Sequence, residues 1–196
     1  MTRAAGFTLL ELMVTIAIGA ILLGLALPQL SRFGLAAARA KGATELYAGL
    51  NQARSEAIVR NAPVTVCQRD WYADAAFPQC ATGGGTWAQG WIVYRDADGA
   101  FSGDEPDDAS AIIAVFDPVG RISPSVDDDA FAVATTLDSN SYLIFGPNGR
   151  ADQRAQFTLC ERSGRLRDAR LVDVALSGRV SLVPLDPDSV PAGCGA

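Results

Sequence analysis

Chemistry has few starting points in this chain. Its 196 residues include no histidine. That absence removes Ser-His-Asp and Cys-His nucleophile pairs, histidine zinc ligands and imidazole acid–base catalysis together. Four cysteines remain, Cys67, Cys80, Cys160 and Cys194, and none lies in a CxxC pair. Zinc and thioredoxin-type redox chemistry therefore have no local support. An even number at wide spacing suits disulfides in an oxidising compartment. Of the three possible connectivities, the neighbours in sequence, Cys67–Cys80 and Cys160–Cys194, are preferred. With no nucleophile motif and no phosphate loop, the chain reads as a non-enzyme without cofactors.

Charge is spread unevenly. Net charge is -6 and the sequence pI is about 4.6, which disfavours nucleic acid as a whole-surface partner. Residues 96–129 hold ten acids against one base, Arg121, whereas residues 150–179 hold seven arginines against four acids. In the acidic part, Asp96 and Asp98 precede Gly99, with Asp104, Glu105, Asp107 and Asp108 close behind. An EF-hand loop needs glycine sixth and a bidentate glutamate twelfth. Counted from Asp96, glycine comes fourth and the twelfth residue is Asp107. A solvated hairpin loop is the expectation, and calcium on Asp96 and Asp98 is the minor alternative. The basic part offers Gly164-Arg165-Leu166-Arg167 and Ser177-Gly178-Arg179-Val180-Ser181, diluted by Asp168 and Asp173.

The most informative ionisable residue is Glu11. It is the only charge in the 21 residues 7–27, which as a helix would span roughly 31 Å, about one hydrocarbon core. The flanks do not fit a secretory signal: few residues precede Gly6, with one base, Arg3. No small-x-small site follows the run, because Pro28, Gln29 and Leu30 come next. A carboxylate at membrane depth costs about 2.5–3.5 kcal/mol and marks function by default. A cut between Gly6 and Phe7 would leave an amine on Phe7, about one helical turn from Glu11. A neighbouring copy displaced by one turn would bring its own amine to that carboxylate. Glu11 then sets the register of stacked helices.

These residues need elements to position them. The helix-compatible pattern continues past Pro28 to about Arg60. Leu46, Leu50, Ala53 and Ala57 form one apolar stripe, and Arg39, Lys41, Glu45, Gln52 and Glu56 supply other faces. Asn61 and Pro63 end it. Gly24 and Pro28 mark a bend or unwinding point. Gly19, Gly24, Gly34, Gly42 and Gly49 weaken an exposed helix by up to ~1 kcal/mol each. Beyond Pro63, short apolar runs at 64–68, 91–94, 111–116, 131–136, 142–145, 156–160, 170–175 and 179–183 alternate with turn signals such as Pro147-Asn148-Gly149. Many short strands without intervening helices predict a two-sheet antiparallel β domain, so the fold class is α+β.

The hexapeptide Gly6-Phe7-Thr8-Leu9-Leu10-Glu11 resembles the class III signal of type IV pilins and pseudopilins. The stretch from Leu50 to Ile58, containing "ARSEAI", then Arg60-Asn61 and Val64-Thr65-Val66-Cys67, resembles the GspH/FimT group. "GWIVYRDADG", "YLIFGPNGR" and "FTLC" are similar to its strands. The resemblance implies cleavage by prepilin peptidase between Gly6 and Phe7, N-methylation of Phe7, and pairing of Glu11 with a terminal amine during assembly. It also implies a helix kink at Pro28. The implied division is a leader at 1–6, a transmembrane and assembly helix at 7–28, its amphipathic continuation at 29–61, and a periplasmic β domain at 62–196. The implied location is the inner membrane, single-pass, then the filament. The implied function is that of a FimT/FimU-type minor pilin, initiating or capping a pilus with other minor and major pilins. An H-type pseudopilin of type II secretion is one alternative. The other is a DNA-binding minor pilin, since a Gly-Arg-x-Arg element serves DNA uptake in FimT-like relatives. Arg165 and Arg167 match its letters, and Arg179 better matches its late-hairpin placement, with Ser181 replacing the second arginine.

Overall fold

The computed structural model describes residues 8–70, 76–81, 86–96, 106, 108–119, 131–137, 142–161, 169–185 and 194, without the side chains of 25–33 and 35. The chain forms two compact units, Met1–Ala37 and Ala38–Ala196, with the division inside the first helix. That helix, α1, spans Leu9–Arg60. The chain stays helical through Gly24 and Pro28, so no unwinding occurs there.

α1 ends as its terminal residues require. Asn61 adopts φ +50°. The Asn61 N–H donates to Ile58 O and the Ala62 N–H to Ala57 O, both at 3.3 Å. This pair of bonds is a Schellman motif, which satisfies carbonyls the helix would otherwise leave bare. Pro63 then bars any further helical turn.

Nine strands follow: β1 (Val64–Asp70), β2 (Gln79–Cys80), β3 (Trp91–Arg95), β4 (Ile112–Phe116), β5 (Phe131–Thr135), β6 (Tyr142–Phe145), β7 (Ala155–Glu161), β8 (Arg170–Val174) and β9 (Val180–Pro184). All described pairings are antiparallel. The first sheet runs β2-β1-β3-β4, with β6 also paired to β1. β1 is its centre: Val66 faces Val93 on one edge and Leu143 on the other. The second sheet runs β5-β7-β8-β9. Every strand expected from the sequence is present, and β2, only two residues long, is additional.

The second unit packs the end of α1 against both sheets. Leu46, Leu50, Ala53 and Ala57 are fully buried, as the stripe predicts. Gly42 and Gly49 behave differently from the expectation that they merely weaken the helix. A Cβ on Gly42 would come within 2.6 Å of Val119, and one on Gly49 within 3.0 Å of both Phe116 and Trp91. Seven residues apart, they form the flat face on which the sheets approach. Trp91 stacks on Phe116 with centroids 5.1 Å apart. Trp87, from a short 3-10 turn, meets Phe157 of the second sheet edge-on at 4.7 Å, a favoured aromatic geometry.

Both preferred disulfides are present. Cys67–Cys80 joins β1 to β2, and Cys160–Cys194 ties β7 to Cys194 near the end of the chain. Asp96 departs from the solvated-loop expectation, because it is buried at the end of β3. Its carboxylate accepts the Thr65 hydroxyl at 2.9 Å and its N–H donates to Pro63 O at 3.1 Å. Asp98 lies outside the described residues. Among the described residues no group of three or more Cys, Asp or Glu side chains is placed to hold a metal.

Candidate functional site

Glu11 sits in the first turn of α1, and the local sequence explains why. Thr8 Oγ1 accepts the Glu11 N–H at 3.2 Å, while Thr8 O accepts the Leu12 N–H at the same distance. Thr8 is thus the N-cap and Glu11 the third helical residue, the spacing of a T-x-x-E capping box. A carboxylate there also faces the positive end of the helix dipole, worth about 0.3–1 kcal/mol. The spacing is legible in the sequence, where Glu11 stands out chiefly as a charge among apolar residues. Its structural consequence is that the Glu11 backbone is fixed in the first turn of α1 by Thr8.

The turns that follow are apolar on every face. Leu9, Leu10, Leu12, Met13, Val14, Ile16, Ile18, Ile21, Leu22 and Leu23 are all exposed, from 49% at Val14 to 76% at Leu9. Helices apolar all round are found where lipid or other helices cover them. No helix among the described residues is by itself long and apolar enough to cross a membrane. Gly6 and Phe7 lie outside the described residues, and the Pro28 side chain is not among those described.

A second constellation lies at the other end of α1. The turns between β6 and β7 and between β8 and β9 close identically. Gly146 N–H donates to Arg150 O at 2.9 Å and Gly149 N–H returns to Gly146 O at 2.8 Å; Ala175 to Arg179 and Gly178 to Ala175 repeat this at 3.0 and 2.8 Å. Each is a three-residue hairpin loop with glycine in the left-handed region, φ +70° at Gly149 and +76° at Gly178. The turns touch backbone to backbone, because a Cβ on Gly178 would overlap Gly149 O.

Arg54, from the "ARSEAI" stretch, clamps them together. Its Nε donates to Gly149 O at 3.1 Å and its Nη2 to Ser177 O at 3.5 Å. One guanidinium therefore binds to the helix both the turn that joins the two sheets and a turn within the second sheet. Arg54→Ala is expected to destabilise the fold by about 2–3 kcal/mol, since hydrogen bonds from charged donors are the stronger kind. Arg54→Lys should recover less than half, because an ammonium cannot fork to two carbonyls. Denaturant midpoints at constant slope would test this; an unmoved midpoint for Arg54→Ala rules the clamp out.

The arginines of the two turns point elsewhere. Arg150 and Arg179 are both exposed, and neither has a carboxylate partner among the described residues. The adjacent acid, Asp152, is engaged with the chain. Its Oδ1 accepts the Ile144 N–H at 3.0 Å. Desolvation raises its pKa, outweighing that bond and those from Gln153 and its own N–H. Asp173 accepts from Gln156 at 3.0 Å. Arg165 and Arg167 fall outside the described residues, so of the three arginines singled out from the sequence, Arg179 alone is described.

A capped apolar helix leading into a helix-backed pair of antiparallel sheets is the type IV pilin class of fold. Two crystal forms of one solved structure share it. The type IV minor pilin FimU of Pseudomonas aeruginosa PAO1 is similar in one crystal form at TM-score 0.55 and 20% identity, over 80% of this chain and 94% of that one. In a second form the values are 0.52 and 20%, over 79% and 98%. The minor pseudopilin EpsH from the Type 2 Secretion System of Vibrio cholerae matches at 0.47 and 12%, over 74% and 96%. Among curated proteins none matches the chain. The family described as type II transport protein GspH matches residues 42–178, and the prokaryotic N-terminal methylation motif matches residues 1–27. The chain belongs to the GspH family.

Proposed function

We propose that this chain is a minor pilin, made as a precursor and held in the inner membrane by the first part of α1. Prepilin peptidase cuts between Gly6 and Phe7, and Phe7 becomes the methylated terminus. The chain then joins other pilin-like subunits to initiate or cap a type IV pilus. Its role is structural rather than catalytic. The observation that carries this reading is the all-round exposed apolar helix with Glu11 capped into its first turn. Such a surface needs lipid before assembly and neighbouring helices after it, and Glu11 then needs a cation supplied from outside its own chain. Pro28 would let the helix bend where the filament core ends.

What favours a pilus is the FimU-like fold; the alternative is an H-type pseudopilin of type II secretion. Deletion of the gene separates the two. The pilus reading expects lost piliation and twitching with secretion intact. Lost secretion with normal pili would move the protein to the secretion machine, and loss of neither would sink both. Intact mass of the purified protein adds an independent check, since a mass retaining residues 1–6 contradicts the processing step.

A further inference from the structure

The first of the two paired turns carries a reactive pair of residues that its sister lacks. Asn148 and Gly149 stand where Ser177 and Gly178 stand in the second turn, and both turns close with the same backbone bonds. The geometry therefore does not need an amide side chain at that position. Asparagine is thermally labile, and most so before glycine, where no side chain shields the following nitrogen. That nitrogen, once deprotonated, attacks the asparagine Cγ. A C–N bond forms, and the lost proton leaves with the side-chain NH2 as ammonia. Water then opens the succinimide at either carbonyl, giving aspartate or isoaspartate. Water is the only co-reactant, and Asn148 is exposed to it.

In the closed turn the reacting groups are held apart from this chemistry. Gly149 is buried, and the proton it would have to lose is donated to Gly146 O at 2.8 Å. Asn148 Oδ1 accepts the Arg150 N–H at 3.0 Å, an Asx turn that fixes the side chain. Ring closure also requires the 148–149 peptide to rotate against that side chain. Arg54 Nε opposes the rotation by holding Gly149 O at 3.1 Å. Gly178 abuts the same oxygen, and Ile58 fills the space where a Gly149 Cβ would lie. We propose that Asn148 is a self-modification site, silent while the Arg54 clamp is shut and reactive when it opens. The opening is reversible and the product is not. Isoaspartate lengthens the main chain by one C–C bond, roughly 1.5 Å. Hydrogen bonds of 2.8 and 3.1 Å do not survive such a displacement. Either product also adds a negative charge, so one opening is written permanently into the subunit.

The test incubates full-length protein in detergent micelles at mildly alkaline pH and follows residue 148 by peptide mass mapping. The same chain in urea, with its disulfides intact, gives the unshielded rate. Folded wild type should react at least about tenfold more slowly than the chain in urea, since only the opened fraction reacts. Arg54→Ala should react about tenfold or more faster than folded wild type, with hydrogen exchange at Val66 showing that the central strand stays folded. Asn148→Ser, which copies the sister turn, should abolish the product. A signal that survives in Asn148→Ser overturns the proposal, as does a folded wild-type rate equal to or above that in urea. Absence of reaction in urea, or a folded Arg54→Ala that reacts no faster than wild type, overturns it too. If Arg54→Ala does not fold, wild type in graded urea decides. Its rate should rise below the unfolding midpoint, and a rate that follows global unfolding alone rules the clamp out as the guard.

Discussion

Glu11→Ala is expected to cut entry into filaments by at least about a hundredfold while leaving the chain in the membrane. The two effects have opposite signs because the carboxylate acts differently in the two settings. In a lone subunit it is a liability of about 2.5–3.5 kcal/mol at membrane depth, so its removal makes insertion no harder. In a filament the carboxylate would pair with a neighbour's amine, out of water. Removing one partner of such a pair costs about 3–5 kcal/mol, since the other is left buried and uncompensated. At 1.4 kcal/mol per tenfold, the lower figure already exceeds a hundredfold. Glu11→Gln separates charge from shape: it keeps the side-chain length and should fail nearly as badly. Quantifying the variant in sheared filaments and in membranes gives both readouts at once. Normal incorporation of Glu11→Ala, or loss from the membrane fraction instead, ends the pairing hypothesis.

The second large effect concerns the disulfides. Cys67–Cys80 closes 13 residues and Cys160–Cys194 closes 34. Loop-closure entropy assigns them about 3 and about 4 kcal/mol. Together that is comparable with the whole stability of many domains, roughly 5–15 kcal/mol. Replacing all four cysteines by alanine should lower the melting temperature by roughly 15–25 °C, at about 2–4 °C per kcal/mol for a chain of this size. The pair Cys160→Ala with Cys194→Ala should cost slightly more than Cys67→Ala with Cys80→Ala. All four cysteines are buried, so substitution tests the links better than added reductant. A shift under about 3 °C for the fourfold variant would show that the sheets hold without them.

The parts of this fold that were legible in the sequence depend on local rules. Leu46, Leu50, Ala53 and Ala57 recur at helical spacing, and that spacing alone puts them on one buried face. Asn61 before Pro63 marks the helix end through backbone preferences that act within four residues. The strands show as apolar runs between turn residues. What stayed hidden depends on partners distant in sequence. Arg54 reaches carbonyls 95 and 123 residues away, and nothing near it announces them. Asp96 reads as part of a solvated acidic loop until Thr65, on an adjacent strand, takes its carboxylate. Gly42 and Gly49 look like weak points because the sheets that need their flatness come much later in the chain. β2 is too short for any pattern. The T-x-x-E spacing of Thr8 and Glu11 is a local signal of a different kind, masked in the sequence by the apolar run around it.

The Arg54 clamp imposes an order of events on folding. Its two acceptors lie in the turns before β7 and β9, which end at Glu161 and Pro184, so both bonds wait for the C-terminal third of the chain. Contacts so distant in sequence form late, after the loop entropy has been met by nearer pairings. The stabilisation from Arg54 should therefore act on how slowly the domain comes apart, and hardly at all on how fast it assembles. A subunit waiting in the membrane for its turn in a filament would gain from that: the helix end works as a latch, closed last and hard to open.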